Sequence, residues 1–557
     1  MLSPKLKRLV YAPLLALFVV FPAIAEDEYY DEIYDKHGRV RPQYQEVIEE
    51  IDKMSPTATK RFLRETRREF SGDNALDPMP RIIPAEEYDN VLKKGVEQRA
   101  RAIRAFLQDH YSGKRHYMKF GIIPERVILR LLERNLEIGY DGKVPPEIIS
   151  FLYGPDIIRD RRGQWRVIED NPGFIGGIGD LRLAQKLIVE RIQAVGRAIK
   201  FRKADAFYKT LTDRFKERAA KKGGRVVMYQ TAPYADHEDK RLRRIMEEHG
   251  ILVVTDQSKW KFKINSEGVF VYDSSRPDSV PEKVGFVFMN GEYSWLDPRY
   301  PVNYKRMVIE EARGHLEEPD LNKTTRLQLE EELAKPEPDL DRIKRNLYGS
   351  NFESDIAKTL AQTRHAEGLT EAILSKKVDS NYSPGIDFIG DKEFYLYVEK
   401  LIEFYLGEKP ILRNIPTKRF SIGNGSRLNE ILLERVFKNL DQYVIKKVDG
   451  RGGDAVWVGP KVRPEEIADL KQRIRSAPDE YIVQEYTPLS RLNGNIVDLR
   501  VIADVAPKDI FVTDTPWGRG LPADGNGKVN LSDKGREITV LVRTGTWGMC
   551  RQLFYLP

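Results

Sequence analysis

The stretch Tyr443 to Gly459, Y-V-I-K-K-V-D-G-R-G-G-D-A-V-W-V-G, has residue types that suit phosphate chemistry. Tyr443, Val444 and Ile445 are β-formers, and Val456, Trp457 and Val458 restart that pattern. Between them, Gly450, Gly452 and Gly453 let the backbone approach a ligand closely, and successive amides there can form an anion nest. Lys446 or Lys447 stands at the strand end to neutralise a phosphate. A β-hairpin with a glycine turn and two exposed lysines fits the same letters. The loop is neither a Walker A motif nor a full G-x-G-x-x-G. A nucleotide would therefore lie between β-sheets rather than on a helix N-terminus.

Four further clusters could complete such a site. Asp156-Ile157-Ile158 reads as a short strand, Arg161 to Gln164 as a turn, and Trp165 to Ile168 as the return strand. Glu169 and Asn171 then share one face at the strand end, with Asp156 on the neighbouring strand. Such oxygens suit Mg²⁺, which takes one or two carboxylates plus nucleotide phosphates. A bare turn at Asp170-Asn171-Pro172-Gly173 is the competing reading. Tyr481 to Tyr486 reads as a strand whose exit, Gln484-Glu485-Tyr486, can offer backbone groups to an adenine edge. Alternation in Asp498-Leu499-Arg500 puts the two charges on one face, as a structural pair or with the guanidinium at a phosphate. Arg519, Lys528 and Asn530 are anion-facing donors on what the surrounding glycines mark as a mobile loop.

The elements that must hold these residues follow from periodicity. Ala85-Glu86-Glu87 opens a helix after Pro84, with Val91, Val96, Ala100, Ile103, Phe106 and Leu107 at helical spacing. Pro124 starts another helix. Arg225 to Met228, Leu252 to Val254 and Gly285 to Met289 read as strands, with a helix from Asp236 to His249, in an order that argues a small parallel α/β domain. Asn303 to Lys377 reads as a charged, exposed helical insertion.

Composition narrows the class. With 41% hydrophobic and 32% charged residues, the chain is neither a membrane bundle nor disordered. Lys5, Lys7 and Arg8, the apolar run Leu9 to Phe21, and Ala23-Ile24-Ala25 form the pattern of a secretory signal peptide, with a retained anchor as the alternative. Without residues 1–25 the net charge falls from +7 to +4, too little for a nucleic-acid footprint. The expectation is an exported protein, periplasmic or secreted, with no stable membrane span after cleavage. One cysteine, Cys550, excludes an intramolecular disulfide and a thiolate metal cluster. There is no G-x-S-x-G, no acid pair for glycoside work, and the seven histidines lack ligand spacing.

Taken in order, P-E-R-V from Pro124, R-G-Q-W-R-V-I-E-D-N-P from Arg162, F-Y-L-G-E-K-P-I-L from Phe404, I-K-K-V-D-G-R-G-G, Y-I-V-Q-E-Y, V-D-L-R and N-G-K-V-N-L-S resemble the circularly permuted ATP-grasp family. Ordinary ATP-grasp enzymes carry E-x-N after the glycine loop. Here Glu169-Asp170-Asn171 precedes Lys446 by nearly half the chain, as permutation requires. The resemblance implies ATP and Mg²⁺ as cofactors. It assigns Lys446 to the nucleotide phosphates within the loop Gly450, Gly452 and Gly453, and Gln484, Glu485 and Tyr486 to the adenine hinge. It assigns Arg500 and Arg519 to the transferred phosphate, with Lys528 beside them, and Asp156, Glu169 and Asn171 to the metal. Arg451, inside the glycine loop, departs from the family pattern and could meet phosphate or an anionic substrate.

The implied architecture is α/β (α+β), a permuted ATP-grasp fold with a small parallel α/β domain and a helical insertion. Its expected divisions are a signal peptide (1–25), an N-terminal helical extension (26–80), a segment with the metal-binding hairpin (81–200), the small α/β domain (201–302), the insertion (303–380) and the nucleotide-binding segment (381–557). The implied activity joins a carboxylate, peptide-like or amino-acid, to an amine acceptor through an acyl phosphate. A non-catalytic nucleotide- or peptide-binding protein and an ATP-dependent small-molecule kinase remain as alternatives.

Overall fold

The computed structural model describes residues 29–70, 76–134, 143–191, 195, 199–230, 237–255, 258–290, 308–309, 312–316, 321–348, 366–423, 427–450, 455–529 and 535–545. The expected leader (1–25), Arg451, Gly452, Gly453, Asn530, Cys550 and much of the 303–380 segment lie outside the described residues.

Two sheets enclose the site. In the larger, seven-stranded sheet the strand order is Arg413–Asn414, Trp165–Glu169, Asp156–Arg159, Asn495–Arg500, Trp517–Pro522 and Arg536–Ile538, with Arg491–Leu492 added beside Asn495–Arg500. The Asp156 hairpin forms as the alternation predicts. Asp156 pairs with Glu169, and a bulge follows between Asp156 and Ile157. A bulge re-aims a side chain at the sheet end. The hairpin joins the C-terminal part of the chain through Arg500, which pairs with Asp156. The second sheet is antiparallel, in the order Thr417–Arg419, Tyr481–Glu485, Tyr443–Lys447 and Val456–Val458. Its other face packs on the Glu430–Lys438 and Pro464–Ser476 helices through Ile445, Leu433, Val436, Leu470 and Ile474. Asn429 caps the first of these by accepting from the Leu432 N–H at 3.0 Å.

The Lys94–Tyr111 helix buries Val96, Ala100, Ile103, Phe106 and Leu107, the stripe its spacing predicts, and packs on the Val398–Leu406 helix. The Gln45–Asp52 and Pro56–Glu69 helices lay Val47, Ile51 and Phe62 in a core shared with Val497 and Leu541.

The small sheet differs from expectation. Leu252–Val254, Arg225–Gln230 and Glu282–Asn290 are parallel, and Asp379–Ser380 joins them. A Trp260–Asn265 and Gly268–Asp273 hairpin then adds antiparallel strands, so the sheet is mixed. Its turn is set by the Asn265 side chain, which accepts from the N–H groups of Glu267 (2.9 Å) and Gly268 (3.2 Å).

Arg519 also differs. It stands in the Trp517–Pro522 strand, opposite Asp498 of Asn495–Arg500, rather than on a mobile loop. The glycines around it serve close packing. A Cβ on Gly518 would lie 2.7 Å from Val540 Cγ2, and one on Gly520 2.9 Å from Ile538 Cδ1. Lys528 sits beyond the strand, its N–H donating to Asn526 Oδ1 at 2.9 Å.

Candidate functional site

A cavity of about 170 Å³ lies between the two sheets. Ile158, Ile168, Ile415, Val444, Val456, Val458 and Leu489 give it apolar walls. Asp156, Glu169, Asn171, Lys446, Gln484, Glu485, Tyr486, Arg500, Arg519 and Lys528 line it as well. These ten were singled out from sequence, and residues from opposite ends of the chain meet here. Gly450 stands outside the lining.

The Tyr443–Lys447 strand separates its two lysines by alternation. Lys446 is buried in the cavity, with its ammonium 3.3 Å from the Ile168 carbonyl. Burial lowers its pKa to about 8, against the attraction of Glu169. Lys447 faces the other way, 3.4 Å from Asp449 and 3.9 Å from Glu480.

Asp156, Asp498, Arg500 and Arg519 form one buried charge network. Asp156 Oδ1 accepts from Arg500 Nε at 2.8 Å, and Oδ2 accepts from Arg519 at 2.9 Å. Arg519 also donates to both Asp498 oxygens, at 3.1 and 2.6 Å. Burial opposes charge on Asp156, but Arg500 and Arg519 hold its carboxyl below the usual range. Burial instead pushes Asp498 up, against Arg519. Trp517 backs both guanidinium groups, 5.4 Å from Arg500 and 5.3 Å from Arg519.

The expected metal set therefore divides. Both Asp156 oxygens are committed to arginines. Glu169 and Asn171 also line the cavity, Glu169 with Oε1 3.0 Å from the Lys392 ammonium and Asn171 with its amide nitrogen on the Gly154 carbonyl at 3.0 Å. Among the described residues no group of three His, Cys, Asp or Glu side chains could hold a metal ion. One carboxylate and one amide oxygen still fit a hard cation that keeps waters and phosphate oxygens. Asp170, between them, points the opposite way into a buried pair with Arg99 at 2.7 Å, braced by Tyr153. That anchor sets the orientation of the E-D-N turn.

Sequence reading missed Lys392. It is buried, its ammonium lies 3.0 Å from Glu169 Oε1, and it donates to the Gly450 carbonyl. Its one local cue is a lysine beside an acidic run, Asp391-Lys392-Glu393, which usually marks a solvated face. At the strand exit expected to meet an adenine, two backbone amides are already paired. The Glu485 N–H donates to Pro416 O at 2.9 Å and the Tyr486 N–H to Gln442 O at 2.8 Å, so neither amide is open to a base. The Gln484 side chain donates to Thr417 Oγ1 at 3.1 Å.

A putative glutamate–cysteine ligase of Frankia casuarinae is 27% identical over 530 residues, covering 91% of this chain and 53% of that protein. A second from Frankia alni is 27% identical over 509 residues, covering 87% and 50%. The chain thus spans about half the length of these curated relatives. An uncharacterised Synechocystis protein is 24% identical over 542 residues and matches nearly end to end, at 93% and 98%. The family model described as circularly permuted ATP-grasp type 2 matches residues 80–238 and 347–514, more than half of the chain. With the E-D-N hairpin seated beside a lysine strand that follows it far along the sequence, the chain belongs to the circularly permuted ATP-grasp family, type 2.

Proposed function

We propose that the protein is an ATP- and Mg²⁺-dependent ligase that joins a carboxylate to an amine through an acyl phosphate. The observation that carries this reading is the cavity between the two sheets, where Lys446, Glu169, Asn171, Arg500 and Arg519 converge. Its apolar walls suit a purine, and its polar end suits phosphates. The putative glutamate–cysteine ligase relatives favour an amino-acid or peptide-like carboxylate.

Lys446 neutralises the nucleotide phosphates from its strand. Arg500 and Arg519, held rigid by Asp156 and Asp498, stabilise charge on the phosphoryl group in transfer. Glu169 and Asn171 would hold the metal, which would supply positive charge to neutralise the nucleotide phosphates. The Ile and Val walls exclude water that would hydrolyse an activated acyl group. The ligase reading requires no protein nucleophile.

The test incubates the full chain with Mg-ATP and mixtures of amino acids, peptides and amines, following ADP release and condensed products by mass. Lys446→Ala and Glu169→Ala should abolish turnover. Unchanged turnover in both overturns the site assignment. The leader reading places the body outside the cytoplasm, where ATP supply limits activity. Reporter fusions at either end test that placement.

A further inference from the structure

A short crossing joins the two sheets that enclose the cavity. Arg413–Asn414 pairs with the hairpin strand in the larger sheet, Asn414 opposite Val167, and Thr417–Arg419 belongs to the second sheet. Ile415 and Pro416 make the passage between them, and Ile415 lines the cavity.

One buried side chain of the Lys94–Tyr111 helix holds this crossing and the E-D-N turn together. Arg99 donates to both Asp170 oxygens, from Nε at 3.2 Å and from Nη2 at 2.7 Å. Its Nη1 donates to Asn414 Oδ1 at 2.8 Å. Asn414 in turn donates to the Tyr395 carbonyl at 2.9 Å. The Tyr395 hydroxyl accepts from the Ile415 N–H at 2.9 Å and donates at 2.6 Å to the carbonyl of Val167, in the strand that ends at Glu169. On the far side of the crossing, the Thr417 hydroxyl donates to the Ile415 carbonyl at 2.8 Å and accepts from Gln484 at 3.1 Å. Hydrogen bonds and one peptide link thus run from Asp170, between Glu169 and Asn171, to Gln484 in the second sheet. Burial opposes charge on Arg99, but Asp170 beside it holds the guanidinium above its ordinary pKa. The planar fork of an arginine serves both partners at once, which a lysine ammonium does not.

We propose, as an inference that rests on the ligase reading above, that Arg99 is a positioning residue: it fixes the E-D-N turn against the nucleotide side of the cavity, so that a cation held by Glu169 and Asn171 strengthens nucleotide binding. The hairpin and the Lys446 strand belong to different sheets, and the crossing at Ile415 and Pro416 sets their separation. A cation shared between the turn and the phosphates binds tightly only where that separation is fixed beforehand. Arg99 lies outside the cavity lining and acts through Asp170 and Asn414.

The test is calorimetric titration of the full chain with AMP-PNP, in EDTA and in Mg²⁺. The ratio of the two dissociation constants reads the coupling between cation and nucleotide. A variant that only loses folded protein weakens both constants alike and leaves the ratio unchanged. Arg99→Lys keeps a cation for Asp170 and gives up the Asn414 bond, and Asn414→Leu removes the same bond from the other side. Each should lower the ratio by about tenfold, the effect of one lost buried charge-assisted hydrogen bond, and keep the affinity in EDTA within about twofold. The double variant should lose no more than either single one, because both break one bond. A wild-type ratio in both single variants overturns the inference, as do losses that add in the double variant. A wild-type chain that binds AMP-PNP with no gain from Mg²⁺ also overturns it. A wild-type chain that does not hold AMP-PNP overturns the ligase reading itself.

Discussion

Lys392 and Glu169 form a 3.0 Å ion pair at the inner edge of the cavity, and the same ammonium donates to the Gly450 carbonyl. The pair ties the start of the glycine loop to the carboxylate of the hairpin strand. Lys392→Met keeps the stem and removes the charge. It should weaken AMP-PNP binding at least tenfold, about 1.4 kcal/mol, by calorimetry. Unchanged affinity would show that the pair serves packing alone.

Lys446 gives a signed pH dependence. Its pKa is lowered by burial to about 8 from an ordinary 10.5. Below the lower value both folded and unfolded chains carry the proton, and the group adds no slope. Between the two values the unfolded chain binds more protons, so this residue makes stability rise with pH. Nucleotide affinity moves oppositely. It should fall above pH 8, by up to tenfold per pH unit, as the phosphates lose their cation. Titrations of AMP-PNP binding should show this bend in wild type and not in Lys446→Met.

Asp156 should matter first for stability. Asp156→Ala leaves Arg500 unpaired by carboxylate and Arg519 with Asp498 alone, all buried. Removing one partner from a buried charge network costs about 3–5 kcal/mol. Urea unfolding should show that loss, with a smaller one for Asp156→Asn, whose side-chain oxygen still accepts.

Gly177 should tolerate no methyl group. Its φ of +96° disfavours other residues, and a Cβ would collide with Trp517. Gly177→Ala should cost about 1–3 kcal/mol and displace the loop from Arg500. Thermal unfolding and ADP release should both fall. Gly176→Ala in the same loop should leave the unfolding temperature nearly unchanged.

Helical and strand periodicity is a local property of the backbone, and it was legible. The Val96 to Leu107 stripe, the Asp156 hairpin and the shared face of Asp498 and Arg500 all follow from spacing. The Trp260–Asp273 hairpin carried a readable turn in Asn265 to Gly268, but the strand–helix order around it favoured a purely parallel reading. Composition misled at Trp517 to Gly520, because glycine permits a loop and also permits close strand packing. Ile538 and Val540, distant in sequence terms from the strand's own letters, decided for packing.

The sequence by itself marked the candidate residues: a lysine strand, an E-D-N strand end, an arginine on a strand at Arg500 and a second, Arg519, that its glycines assigned to a loop. Tertiary structure alone decided the pairings. It gave Asp156 to Arg500 and Arg519, placed Glu169 and Asn171 in the cavity lining, brought in Lys392, and tied Arg99 to Asp170 and Asn414. Spacing along a strand fixes which face a charge occupies. Which opposite charge it meets depends on burial, where an unpaired ion is costly and its partner comes from wherever the chain folds back.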